Sequence, residues 1–177
     1  MEVPDDVRYP IGRLPVRPPL SAAERAAAID AIAELPEILH AAVDGLGNAQ
    51  LDTPYRDGGW TVRQVVHHLA DSHIHAYVRC KLVAAEDNPP LKPYDDNVWA
   101  AMPDAMSLPV AGSLHLLQGL HERWATFLRS LDDASFMREG QHPHNGSMTL
   151  DRLLQVYSWH GRHHVAHITA LRHRSGW

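Results

Sequence analysis

The chain has 177 residues, 45% of them hydrophobic, and a net charge of −5. That length and apolar content suit one globular domain over residues 1–177 with room for a real core, and the scattered Lys and Arg form no basic footprint for a nucleic-acid backbone. Glu2, Asp5 and Asp6 open the chain without an apolar segment. Eighteen apolar residues nowhere run together, so no signal peptide or membrane contact is expected and the protein is placed in the cytoplasm. Cys80 is the single cysteine. An internal disulfide and a thiolate-cluster metal site are therefore excluded, and any metal must be held mainly by His or carboxylate.

Residues 1–20 hold five prolines and the string Tyr9-Pro10-Ile11-Gly12, which predicts an extended arm on the surface of the fold. Ser21 with Glu24 forms a capping-box signature, and Ile29, Ile32, Leu35, Leu39 and Val43 give the apolar stripe of a first helix, with a kink expected at Pro36. A turn-rich connection, 45–59, leads to Trp60 and a second capping signal, Thr61 with Gln64. The helix that follows carries Val62, Val65, Leu69, Ser72, Ala76, Cys80 and Val83 on one face, with Cys80 read as a small core residue.

Residues 87–111 contain five prolines and little periodicity, too long a link for a simple helical hairpin. A third helix follows as Leu114, Leu117, His121, Trp124, Leu128 and Leu131, a seam in which His121 takes a core position. Residues 132–147 read as a polar, turn-rich link. Thr149 then caps a last helix that reaches Arg174, with Leu150, Leu153, Leu154, Tyr157, Gly161, Val165, Ile168 and Leu171 at three- and four-residue steps.

Histidines supply the chemistry. On a wheel of about 100° per residue His160 and His164 fall on the inward side of the last helix, whereas His163 and His167 lie further round. Two imidazoles at i and i+4 can converge on one divalent ion. No Glu follows His160, so the H-E-x-x-H metalloprotease pattern is absent. On the second helix His68 points inward and His67 almost directly away. His75 and Asp71 sit nearer the edge, Asp71 where a carboxylate could orient an imidazole. For any single histidine the commoner state is a hydrogen-bonded core or surface residue; the coincidence of inward histidines on separate helices is what points to metal. His68, His160 and His164 are the selected ligands, with His121 and Asp71 as the catalytic or supporting candidates. Arg63 and Arg162 read as solvated charges, and Trp60, Trp99, Trp124, Trp159 and Tyr157 chiefly as packing.

The strings Tyr9-Pro10-Ile11-Gly12, Leu51 through His73 and Trp159 through Ile168 resemble the DinB-like superfamily, in its YfiT-type branch of proteins labelled metal-dependent hydrolases. The resemblance runs end to end. It implies an all-α four-helix bundle with a non-sequential helix order and a long crossover, commonly a homodimer. It also implies one divalent metal ion per subunit, zinc or alternatively nickel, on His68, His160 and His164. Relatives in the superfamily present a low-molecular-weight thiol of the bacillithiol type on their metal. The first expected function is thus transfer of a metal-activated thiol to an electrophilic small molecule. Hydrolysis by metal-bound hydroxide is the second, and a non-catalytic metal-binding or interaction bundle with a closed ligand shell the third.

Overall fold

A computed structural model describes residues 7–177, so the first six residues of the expected arm lie outside the described residues. Four long helices carry the fold: α1 (Ala22–Val43), α3 (Val62–Ala85), α6 (Ala111–Arg129) and α8 (Leu150–Ser175), with short α2 (Asn48–Leu51), α4 (Asp96–Ala100), α5 (Pro103–Ser107) and α7 (Asp133–Phe136) between them. The three sequence caps are formed. Ser21 and Thr61 each close a reciprocal capping box, and Thr149 accepts from the Arg152 N–H. Each thereby satisfies a backbone donor that the first helical turn would leave unpaired. α1 continues through Pro36 as one helix, and α8 ends at Gly176, whose φ of 72° lets the chain leave the helix in the left-handed region.

The strongest packing sets α1 and α3 each against both α6 and α8. α1 and α3 therefore stand at opposite corners, as do α6 and α8, while the consecutive helices α3 and α6 are neighbours. Leu20 N–H reaches the Asp151 carboxylate at 3.2 Å at one end and Arg172 Nη1 the Ala42 carbonyl at 3.0 Å at the other, so α1 and α8 run parallel. His67 meets Ser113 at 2.7 Å and the Tyr77 ring meets Phe127, so α3 and α6 also run parallel. This direction explains the long crossover. After the 24 residues of α3 the chain must travel back about 36 Å before α6 can begin. The returning stretch lays α4 and α5 on α3.

Two features depart from the sequence reading. The 132–147 link contains α7 and, with residues to Thr149, an antiparallel hairpin of β1 (Glu139–His142) and β2 (Gly146–Thr149), with Gln141 also bridging Pro90 of the crossover. Arg63 is not a solvated charge. It is 4% exposed and bonds Asp52 Oδ1 at 2.7 Å, the Leu108 carbonyl at 2.9 Å and Asn48 Oδ1 at 3.1 Å, pinning two links to the start of α3. Arg162, by contrast, is exposed.

Packing divides the interior into two apolar clusters. One holds Ile32, Ala76, Trp124 and Tyr157; the other holds Leu35, Leu69, Leu117 and Val165. On three of the four long helices the boundary between the clusters is filled by histidine: His73 on α3, His121 on α6, His160 and His164 on α8; on α1 it falls between Ile32 and Leu35. The arm runs antiparallel along α8, its Arg8 carbonyl against His167 and its Pro18 carbonyl accepting from Gln155. Among the described residues no helix is long and apolar enough to cross a membrane.

Candidate metal centre

His68 from α3 and His160 and His164 from α8 come together with one ligand nitrogen of each within 4.8 Å of the others. Antiparallel packing of α3 and α8 is what faces His68 to the i, i+4 pair. His68 and His164 are buried and His160 half-buried. Burial is the largest cause that pushes all three imidazoles down, His68 to about 4, and the neighbouring imidazoles push His160 and His164 further the same way. Each is therefore neutral at physiological pH with a lone pair to offer, the form that metals bind.

The donor set fits a divalent ion on two further grounds. His68 Nε2 and His160 Nε2 stand 3.3 Å apart, which equals the edge of a tetrahedron with nitrogen arms of about 2.05 Å. Nδ1 of His164 is buried without a hydrogen-bond partner, a costly state for a polar atom unless the ring is held by something else. The Trp60 ring lies 4.5 Å from His68 and 6.2 Å from His164, near-parallel to the latter, and so walls one side of the cluster. A cleft of about 300 Å³ opens beside His164, lined also by Arg8, Tyr9, Tyr55, Arg56 and Trp60. Of the three candidate ligands His164 lines this cleft, so a small molecule approaches the cluster from the His164 side.

The other candidates fall elsewhere. His75 stacks on Tyr94 at 4.4 Å and lies against Trp99, on the crossover side of α3. Among the described residues no hydrogen bond joins Asp71 to the three histidines; burial and Asp104 push its carboxyl up. His121 is fully buried, donating from Nδ1 to the Ile32 carbonyl at 2.6 Å. Cys80 is a core residue with no exposure.

Four histidine placements escaped the wheel. His67, expected to face away, is 8% exposed because the crossover and α6 cover it, with Ser113 Oγ and the Leu108 carbonyl as its partners. His163 and His167 are likewise buried, under the arm and the loop before α3, His163 near Tyr9 and His167 stacked on Tyr55 at 4.1 Å. His73 was passed over altogether. It has no exposure and sits 3.2 Å from His160 Nδ1 and 2.8 Å from His121 Nε2. Its signal was present, since a wheel places it about 40° from Leu69 and 60° from Ala76.

Comparison with known proteins agrees with this architecture. A family model described as the DinB superfamily matches residues 31–168. A Bacillus subtilis protein named "Putative metal-dependent hydrolase YfiT" is 47% identical over 173 residues, 97% of each chain. A Geobacillus thermodenitrificans protein of the same description is 49% identical over 181 residues, covering all of both. The solved structure of YfiT, described as a probable metal-dependent hydrolase with an unusual four-helix bundle topology, aligns with a TM-score of 0.94 over 97% of this chain and 98% of that one. With the identity, the coverage and the shared helix arrangement together, the chain belongs to the DinB superfamily.

Proposed function

We propose that this chain is a divalent-metal-dependent enzyme whose ion is held by His68, His160 and His164, with a coordination position left to a small nucleophile. The observation that carries the reading is the convergence of three neutral imidazoles beside an open cleft. A divalent ion held there lowers the pKa of a bound thiol or water and so supplies a nucleophile at neutral pH. Zinc is the first choice for an all-imidazole set, with nickel as the alternative.

The chain's own groups supply binding and orientation. Trp60 shields the imidazoles of His68 and His164 on one side, leaving the cleft as the approach. Arg56, whose side chain bonds the Tyr55 hydroxyl and the Asp57 carbonyl, gives the cleft wall a cationic character that attracts anionic reagents. We favour transfer of a low-molecular-weight thiol to an electrophilic small molecule. Among the described residues lining the cleft the groups able to act as a general base are the imidazoles of His163 and His167, whereas a thiol deprotonated on the ion needs no base, and soft thiolate suits zinc. Hydrolysis is the second reading, favoured by the descriptions of the Bacillus and Geobacillus relatives. The working assembly is taken to be a homodimer.

The test is metal content by mass spectrometry on untagged protein beside His68→Ala and His160→Ala/His164→Ala. It is followed by metal-dependent consumption of a model thiol with an electrophile. Near-stoichiometric metal lost in the variants, with thiol consumed only by loaded protein, is expected. Metal without thiol turnover but with ester or amide cleavage moves the reading to hydrolysis, and wild-type protein that takes up neither zinc nor nickel overturns both.

A further inference from the structure

One ligand of the candidate centre is tied to a continuous row of hydrogen bonds that passes through all four long helices. His160 Nδ1 on α8 faces His73 Nε2 on α3 at 3.2 Å. His73 Nδ1 faces His121 Nε2 on α6 at 2.8 Å, and His121 Nδ1 faces the Ile32 carbonyl on α1 at 2.6 Å. We propose that His73 and His121 are positioning residues that fix the proton of His160 on Nδ1 and so aim its bare Nε2 at the metal position.

The proton placement follows by elimination. A backbone carbonyl only accepts, so His121 Nδ1 must donate to Ile32. A neutral imidazole has one N–H, which leaves His121 Nε2 as an acceptor and obliges His73 Nδ1 to donate to it. The same step leaves His73 Nε2 as acceptor and makes His160 Nδ1 the donor. His160 Nε2 then carries only a lone pair, and it is this atom that stands 3.3 Å from His68 Nε2. Reversing the row would set the His121 Nδ1 lone pair against the Ile32 oxygen at 2.6 Å, a buried repulsion with no water to relieve it.

Neutrality of the row is itself physical. His73 and His121 have no exposure, and burial pushes both imidazoles down, His121 to about 4, with His121 and His160 adding to the effect at His73. Metal-binding histidines ordinarily hand their second N–H straight to a carbonyl or carboxylate. Here two imidazoles stand between ligand and carbonyl, so the fixed end of the row is on α1, a helix that contributes no ligand. Their cost as polar groups in a bundle core is met only because each is bonded on both sides.

The inference rests on the three-histidine reading but is measured separately from it. The experiment is long-range ¹H–¹⁵N correlation of the histidine side chains in metal-free, ¹⁵N-labelled protein, with zinc affinity by chelator competition for wild type, His121→Phe and His73→Phe. Expected are Nδ1–H tautomers at His73, His121 and His160 in the wild type. In His121→Phe the His160 tautomer becomes mixed and zinc affinity falls roughly 10- to 100-fold. A His160 carrying its proton on Nε2 in the wild type overturns the proposal without recourse to any variant, as does a folded His121→Phe with unchanged tautomers and affinity. An ordered Nδ1–H row in a protein that binds no zinc would sustain the proton placement and refute the metal reading instead.

Discussion

Gly161 lies between the two ligand histidines of α8, where a side chain would strike α1. A Cβ built there would sit 2.4 Å from Leu35 Cδ2, 2.9 Å from Cδ1 and 3.1 Å from Cγ. Rotating one methyl does not clear three atoms of the same branch, and Leu35 is 2% exposed with nowhere to retreat. Overpacking of this kind costs about 1–3 kcal/mol, while replacing Gly by Ala inside a helix returns about 1 kcal/mol. Gly161→Ala is therefore expected to lose about 1 kcal/mol net, a Tm decrease of about 2–4 °C for a chain of this size. Leu35→Ala alone costs about 2–5 kcal/mol but removes the clash. In that background Gly161→Ala should stabilise by about 1 kcal/mol, giving a coupling near 2 kcal/mol in a double-mutant cycle followed by urea denaturation. Because α8 can yield only by moving off α1, zinc affinity should fall in Gly161→Ala and recover in the double variant. Equal stabilisation by Gly161→Ala in both backgrounds, hence zero coupling, would refute the close approach.

Acid should begin to weaken the metal-free fold above the ordinary carboxylate range. The folded imidazole of His121 sits at about 4 against an ordinary 6.5. The unfolded chain therefore takes up a proton below pH 6.5 that the native state refuses; stability from this group is full above 6.5 and is lost as pH falls toward 4. The loss is about 3 kcal/mol at most, and His68 and His163 act in the same direction. Urea unfolding at pH 7, 5.5 and 4.5 should show the decline, with a shallower slope in His121→Phe; a flat profile contradicts it. For Cys80, burial pushes the thiol up to about 12, so Ellman's reagent at pH 8 should find no thiol in native protein and one per chain in denaturant. Rapid native reaction would mean that the α3 core opens more readily than its packing implies.

Helix existence, caps and inward faces were legible from single residues, because periodicity and capping are local. Ser21, Thr61 and Thr149 start their helices where side-chain chemistry places them, and the inward pattern selected the three histidines that the structure brings within ligand distance of one another. The family strings supplied the helix order that periodicity could not. A wheel describes each helix against one core and is silent about what covers its other side. His67 is buried by the crossover, His163 and His167 by the arm and the loop before α3, and Arg63 by two links. The crossover among these coverings follows from the parallel course of α3 and α6, which forces the chain back along the bundle. The row from Ile32 to His160 and the contact of Gly161 with Leu35 needed four helices set at particular heights and separations. Such distances are fixed by side chains packing across helices, which no spacing along one helix encodes.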